Sequence, residues 1–255
     1  SDLFPQDLSV SDRLTAQIID IGINDLGVTC FRYEPPMGWN PETRRWEWEN
    51  DDADALHTDW SALSTNDLDE RVRKWVLPVK QSIESNGDRM YIQVSPSFYD
   101  TGSSGEAFPW FLRSSGEYME YAMSVILQMK NVHGIEPDTY TICNEPQYNN
   151  AFSESITLKM AKALGRRMQE AGLKTGIQYP ESMSDASAIT WLQNVQNDSE
   201  LWKYVRTVSY HLYGPRTNLE AIRDIAFSKG VPTAQTEFLS NNSLADDYLY
   251  DDMTL

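Results

Sequence analysis

Apolar positions along this chain fall into two patterns that take turns. Leu14, Ile18, Ile21 and Leu26 recur at helical spacing across residues 11–26, and Gly27 follows where a helix would end. Residues 28–33, Val-Thr-Cys-Phe-Arg-Tyr, then make a short run of strand type. The alternation continues. Helices are predicted over 67–86, where Val72, Val76, Val79 and Ile83 share a face, and over 117–132, 154–171, 185–196 and 217–229. Strands are predicted over 90–94, 139–143, 175–179, 205–210 and 232–236.

Short strands separated mostly by single helices imply an α/β fold with a parallel sheet and helical crossovers. An open doubly wound sheet and a closed eightfold barrel both fit. No Gly-rich phosphate loop follows any strand, which disfavours a dinucleotide site. Polar residues gather instead just past the strands: Arg32 to Glu34, Ser95 to Tyr99, Asn144-Glu145, His211 to Tyr213, and Glu237. In a (β/α)8 TIM barrel these positions converge on one mouth. The expectation is therefore one barrel domain over 1–255 in which strands two to seven are readable. Strands one and eight are not readable, so the native protein is expected to be longer at both ends.

Composition narrows the partners. A net charge of -17 argues against nucleic acid and anionic membrane. No apolar run is long enough to span a bilayer, and the start of the chain shows no signal core. Cys30 and Cys143 both lie in strand-like runs, where buried free thiols are expected. Asn197-Asp198-Ser199 and Asn241-Asn242-Ser243 match the glycosylation triplet, weak support for a secreted protein. The three histidines show no zinc spacing, and the acidic stretch 49–54 lacks the calcium-loop pattern, so no metal or cofactor is expected. His57 and His133 read as surface positions, Trp75 and Trp191 as core.

Two strand ends carry the chemistry. Tyr140-Thr141-Ile142-Cys143 runs into Asn144-Glu145-Pro146, and proline stops the ladder there. Val231 to Thr236 runs into Glu237. Either glutamate alone could be a solvated strand end. Together they lie three βα units apart, which in a barrel faces them across the mouth. Two carboxylates flanking one bond are what glycoside hydrolysis requires. An acid there must hold its proton, and a nucleophile must stay ionised beside donors such as Arg32 and Tyr213.

On these runs the chain resembles the clan A retaining glycoside hydrolases, with family 30 nearest and family 5 a neighbour. The resemblance spans roughly residues 10–240. It implies Glu145 as acid/base and Glu237 as nucleophile, with Asn144 bonding the sugar 2-hydroxyl. It further implies that Tyr213 or His211, within Ser209-Tyr210-His211-Leu212-Tyr213-Gly214, contacts the nucleophile, and that Arg32 orients it. Aromatic residues on the loops suit the apolar faces of sugar rings, and Trp39, Tyr99 and Trp110, with Ser95, are the candidates for substrate contact.

The expected activity is retaining cleavage of a β-linked polysaccharide by a secreted monomer. An endo-acting enzyme on β-1,6-galactan, β-1,6-glucan or xylan leads. An exo-acting glycosidase, a non-catalytic sugar-binding barrel and an unrelated open-sheet α/β protein are the alternatives.

Overall fold

The computed structural model describes residues 15–35, 39–40, 45–46, 57–61, 63, 65–97, 115–148 and 152–238. The chain divides into two compact units, one within Asp2–Val94 and Trp110–Asp138, the other mainly within Ser95–Pro109 and Thr139–Leu255.

In the first unit, α1 (Ile18–Asp25) is wound as a π-helix. Gly27 adopts the left-handed φ of 68° that closes it, and Val28 N–H reaches back to Gly22 O at 2.8 Å. The chain then enters β1 (Cys30–Tyr33), which pairs in parallel with β4 (Tyr91–Val94). Between them β2 (Trp39–Asn40) and β3 (Arg45–Trp46) form a small antiparallel pair. Asn66–Arg71, a π-helical turn at Val72–Val76 and Leu77–Ser85 run on as one helix, α2. It buries Leu68, Val72, Trp75, Val76, Val79 and Ile83, a stripe at helical spacing. Helix α3 (Ser115–His133) buries Tyr118, Ala122, Val125, Ile126 and Met129.

Two side chains of α3 anchor it to α2. Gln128 donates to Asp69 at 2.9 Å, and His133 Nε2 lies 2.5 Å from the same carboxylate. Burial opposes the charge of Asp69, but hydrogen bonds from Gln128, His133 and Thr65 outweigh it and hold its pKa below the ordinary value. The surface reading of His133 is thus corrected. Its side chain is 5% exposed, because a carboxylate from the neighbouring helix compensates its burial.

In the second unit β5 (Thr139–Thr141), β6 (Gly176–Ser182), β7 (Val205–His211) and β8 (Thr233–Glu237) lie side by side in chain order, all parallel. The connecting helices are α4 (Glu154–Glu170), α5 (Asp185–Val195) and α6 (Leu219–Ser228). Every residue of β5 and β6 is buried, as in sheets covered on both faces. Ser153 caps α4, and Ser184 with Ser187 forms a capping box on α5. Both tryptophans read as core are core: Trp75 is 1% exposed and Trp191 7%.

Close packing sets one glycine of α4. A Cβ on Gly165 would lie 2.4 Å from Cγ of Tyr204, at the root of the ring where the side chain cannot swing away. Gly165→Ala is expected to destabilise the chain by about 1–2 kcal/mol, since overpacking outweighs the gain in helix propensity. Urea unfolding with an unchanged slope measures it; an equally stable or more stable variant would contradict this packing.

Each strand expected from the sequence occurs, and the α/β class stands. Among the described residues the six strands in parallel pairs are those read from the apolar runs, two in the first unit and four in the second. The largest difference is at β6, which continues through Pro180 to Ser182 instead of ending at Tyr179. Both cysteines are free thiols. Burial, with Asp138 nearby, pushes Cys30 up to about 11. Among the described residues no helix is long and apolar enough to cross a membrane.

Candidate active site

The carboxyl-terminal ends of the four strands in the second unit bring the site together. After β5 the chain turns sharply, and Asn144 N–H bonds Pro96 O at 2.8 Å. Glu145 takes a left-handed φ of 47°, and its N–H bonds Glu181 O at 3.1 Å. A glutamate pays roughly 1 kcal/mol or more to hold that conformation, and such strain concentrates at functional sites. Pro146 starts a short 3-10 turn that ends the strand path. Gln147 Nε2 fixes the turn to Ser182 Oγ at 2.6 Å.

The end of β6 carries a residue that the sequence reading passed over. Pro180 pairs with Ser209 and Ser182 with Tyr210, so Glu181 is an extra residue in a bulge. It too has a left-handed φ, 59°, and it is fully buried. A proline inside a strand pattern reads as a strand end, so the pattern predicts that the strand stops before this glutamate. A signal was present nonetheless, because Glu181 follows an apolar run as Glu145 and Glu237 do.

His211 closes β7 and is fully buried. Its Nδ1 lies 2.7 Å from Glu145 Oε1, and its Nε2 lies 3.6 Å from Glu181 Oε1. Burial disfavours the imidazolium, but the contacts with Glu145 and Glu181 and the charges of Glu181 and Glu237 prevail, so its pKa is raised. Nδ1 accordingly donates to Glu145. A second register shift precedes the His211–Glu237 pair and brings the last residue of β8 level with the imidazole. Tyr213 Oη donates to Glu237 Oε1 at 2.8 Å. The loop bearing Tyr213 is held in place by its N–H on Met183 O and by Asp185, which accepts from the backbone N–H groups of Thr217 and Asn218 at 2.8 Å each. Asp185 also starts α5, so the loop hangs from a helix end.

Glu145, His211 and Glu237 each offer a ligand-type atom, and these atoms lie within 4.8 Å of one another. A metal would need these lone pairs. A metal there would have to replace the direct 2.7 Å hydrogen bond between His211 and Glu145. The arrangement suits proton transfer between two carboxylates with different partners. Glu145 has an imidazole donor and 7% exposure, while Glu237 has a phenol donor and is half-buried.

The other expected site residues are placed as follows. Asn144 is buried beside Glu145, and Ser95 is fully buried after β4. Arg32, on β1 of the first unit opposite Gln93, is 8% exposed. Trp39 begins β2, in register with Trp46. Tyr99 and Trp110 lie outside the described residues. Between Tyr213 and His211, the tyrosine bonds Glu237 and the histidine bonds Glu145.

Tyr213→Phe removes a hydrogen-bond donor to Glu237 without changing shape. It is expected to lower kcat/KM for an aryl β-glycoside about 10–100-fold, roughly the value of a hydrogen bond to a charged group. Unchanged steady-state kinetics would contradict the role of this bond.

No protein-family model matches the chain, and no curated protein matches its sequence. Solved structures do match. An endo-β1,6-glucanase aligns over 88% of this chain at a TM-score of 0.59 and 18% identity. SrfJ from Salmonella typhimurium aligns over 96% at 0.60 and 14%. A glycoside hydrolase family 30 subfamily 8 xylanase from Clostridium acetobutylicum aligns over 92% at 0.58 and 17%. The chain spans 52%, 58% and 58% of their respective lengths. It shares their fold, in keeping with the resemblance drawn from the sequence.

Proposed function

We propose that the chain carries the catalytic residues of a retaining β-glycoside hydrolase of TIM-barrel architecture, acting outside the cell on a polysaccharide as a monomer. The observation that supports this most is the approach of Glu145 and Glu237 to within 4.8 Å at their nearest ligand atoms, each with its own hydrogen-bond donor. Retaining enzymes hold their two carboxyl groups about 5–5.5 Å apart, and inverting enzymes about 6.5–9.5 Å, leaving room for a water.

In the first step Glu237 attacks the anomeric carbon while Glu145 gives its proton to the leaving oxygen. The bond from Tyr213 keeps one Glu237 oxygen occupied and leaves the other to react. In the second step Glu145 takes a proton from water, which displaces Glu237 from the sugar. Asn144, next to Glu145, is the candidate for the sugar 2-hydroxyl.

The substrate class is supported by two of the shared-fold proteins, a β1,6-glucanase and a xylanase. Incubation with β-1,6-glucan, β-1,6-galactan and xylan, scored by new reducing ends, tests it. Release of oligosaccharides from one of them is expected. No release from any, together with no cleavage of aryl β-glycosides, would overturn the reading and leave a non-catalytic sugar-binding protein.

A further inference from the structure

We propose that Glu181 is a positioning residue for the acid/base, the middle link of a chain Thr139–Gln178–Glu181–His211–Glu145 that aims the imidazole of His211 at Glu145. The inference rests on the catalytic reading above. It follows from the order of donors and acceptors across β5, β6 and β7. Thr139 Oγ1 donates to Gln178 Oε1 at 3.0 Å, which fixes the amide so that its NH2 faces the other way. Gln178 Nε2 then donates to Glu181 Oε2 at 2.6 Å. That leaves Glu181 Oε1 facing His211 Nε2 at 3.6 Å, an ion-pair contact, while Nδ1 of the same ring bonds Glu145.

Thr139, Gln178, Glu181 and His211 are each no more than 1% exposed. A fully buried carboxylate is costly unless it has a donor and a counter-charge. Gln178 supplies the donor and His211 the charge. The bulge at Glu181 serves the same end, since the left-handed residue gives its carbonyl to Glu145 N–H and turns its side chain inward. One residue thus holds Glu145 twice, by the backbone and through the imidazole.

The charged and titratable groups acting on His211 are Glu145 from the end of β5, Glu181 from β6, Glu237 from β8, and Tyr213 beyond its own strand. Burial raises the Cys143 thiol, with Glu145 and Glu181 adding to it, so it stays neutral. Taking one anion away makes proton binding less favourable at every coupled site. Glu181→Gln should therefore lower the pKa of His211.

The test compares the full chain with Glu181→Gln by imidazole NMR titration, His211 being identified by its loss in His211→Asn. A kcat/KM–pH profile on an aryl β-glycoside runs beside it. The expected result is a fall of about one pH unit or more in the His211 midpoint, with the alkaline limb of the profile moving to lower pH. Identical titrations overturn the link, and a moved titration with an unmoved limb overturns its part in catalysis. A wild-type chain without activity sinks the catalytic reading instead, and the titration then still decides whether Glu181 holds the charge on His211. Should the variant not fold, the wild-type spectrum decides: both ring nitrogens protonated at pH 7 supports the link, and a neutral ring overturns it.

Discussion

Glu237→Ala is expected to lower kcat by about 10,000-fold or more on any β-glycoside the chain cleaves, equal to roughly 5 kcal/mol of barrier. The carboxylate ends β8, half-buried, and accepts from Tyr213 at 2.8 Å. Without it no covalent intermediate forms. Alanine also leaves a space that a small anion can enter. Azide should restore part of the rate and emerge as a glycosyl azide of inverted configuration. The fold should survive, because the removed side chain is not core; thermal unfolding checks this. Full activity in Glu237→Ala would end the assignment.

Glu145→Ala should behave differently, and the difference identifies the acid. Its proton matters most when the leaving group is poor. Cleavage of a polysaccharide should fall by about 100–10,000-fold, the usual worth of general acid catalysis. A dinitrophenyl glycoside, whose leaving group departs unaided, should lose far less in its first step and show a burst as the intermediate accumulates. Equal losses on both substrates would deny Glu145 its role as acid. Alanine also keeps the unfavourable left-handed backbone at 47°, so any stability change comes from the lost bond to His211 rather than from released strain.

The alternation of helix and strand was legible because each apolar face has its own period, and burial enforces it. The stripe through Leu68, Val72, Trp75, Val79 and Ile83 is an instance, every member of it buried. The strand ends were legible too, since polar residues after apolar runs mark the point where a sheet meets solvent. Glu145, His211, Tyr213 and Glu237 all came into view that way.

What stayed hidden depends on contacts with no local signature. The bulge at Glu181 follows from pairing with β7, and Pro180 masks it. The burial of His133 depends on Asp69, which lies on another helix. The π-helical turn at Val72–Val76 keeps its apolar stripe buried and so leaves no mark in the pattern, whereas in Ile18–Asp25 only Ile23 is buried and Ile21 is exposed, as is Leu26 just beyond it. The pair β2–β3 is too short for any alternation to show.

In the proposed mechanism Glu145 and Glu237 act in two successive displacements. One oxygen of each carboxylate lies within 4.8 Å of an oxygen of the other, closer to the about 5–5.5 Å of retaining enzymes than to the about 6.5–9.5 Å of inverting ones. The direct measurement is proton NMR of the anomeric signals in the first minutes of hydrolysis of a β-linked oligosaccharide, before mutarotation mixes them. The β-anomer appearing first is the expected result. The α-anomer appearing first would contradict the two-step mechanism and the roles given to both glutamates.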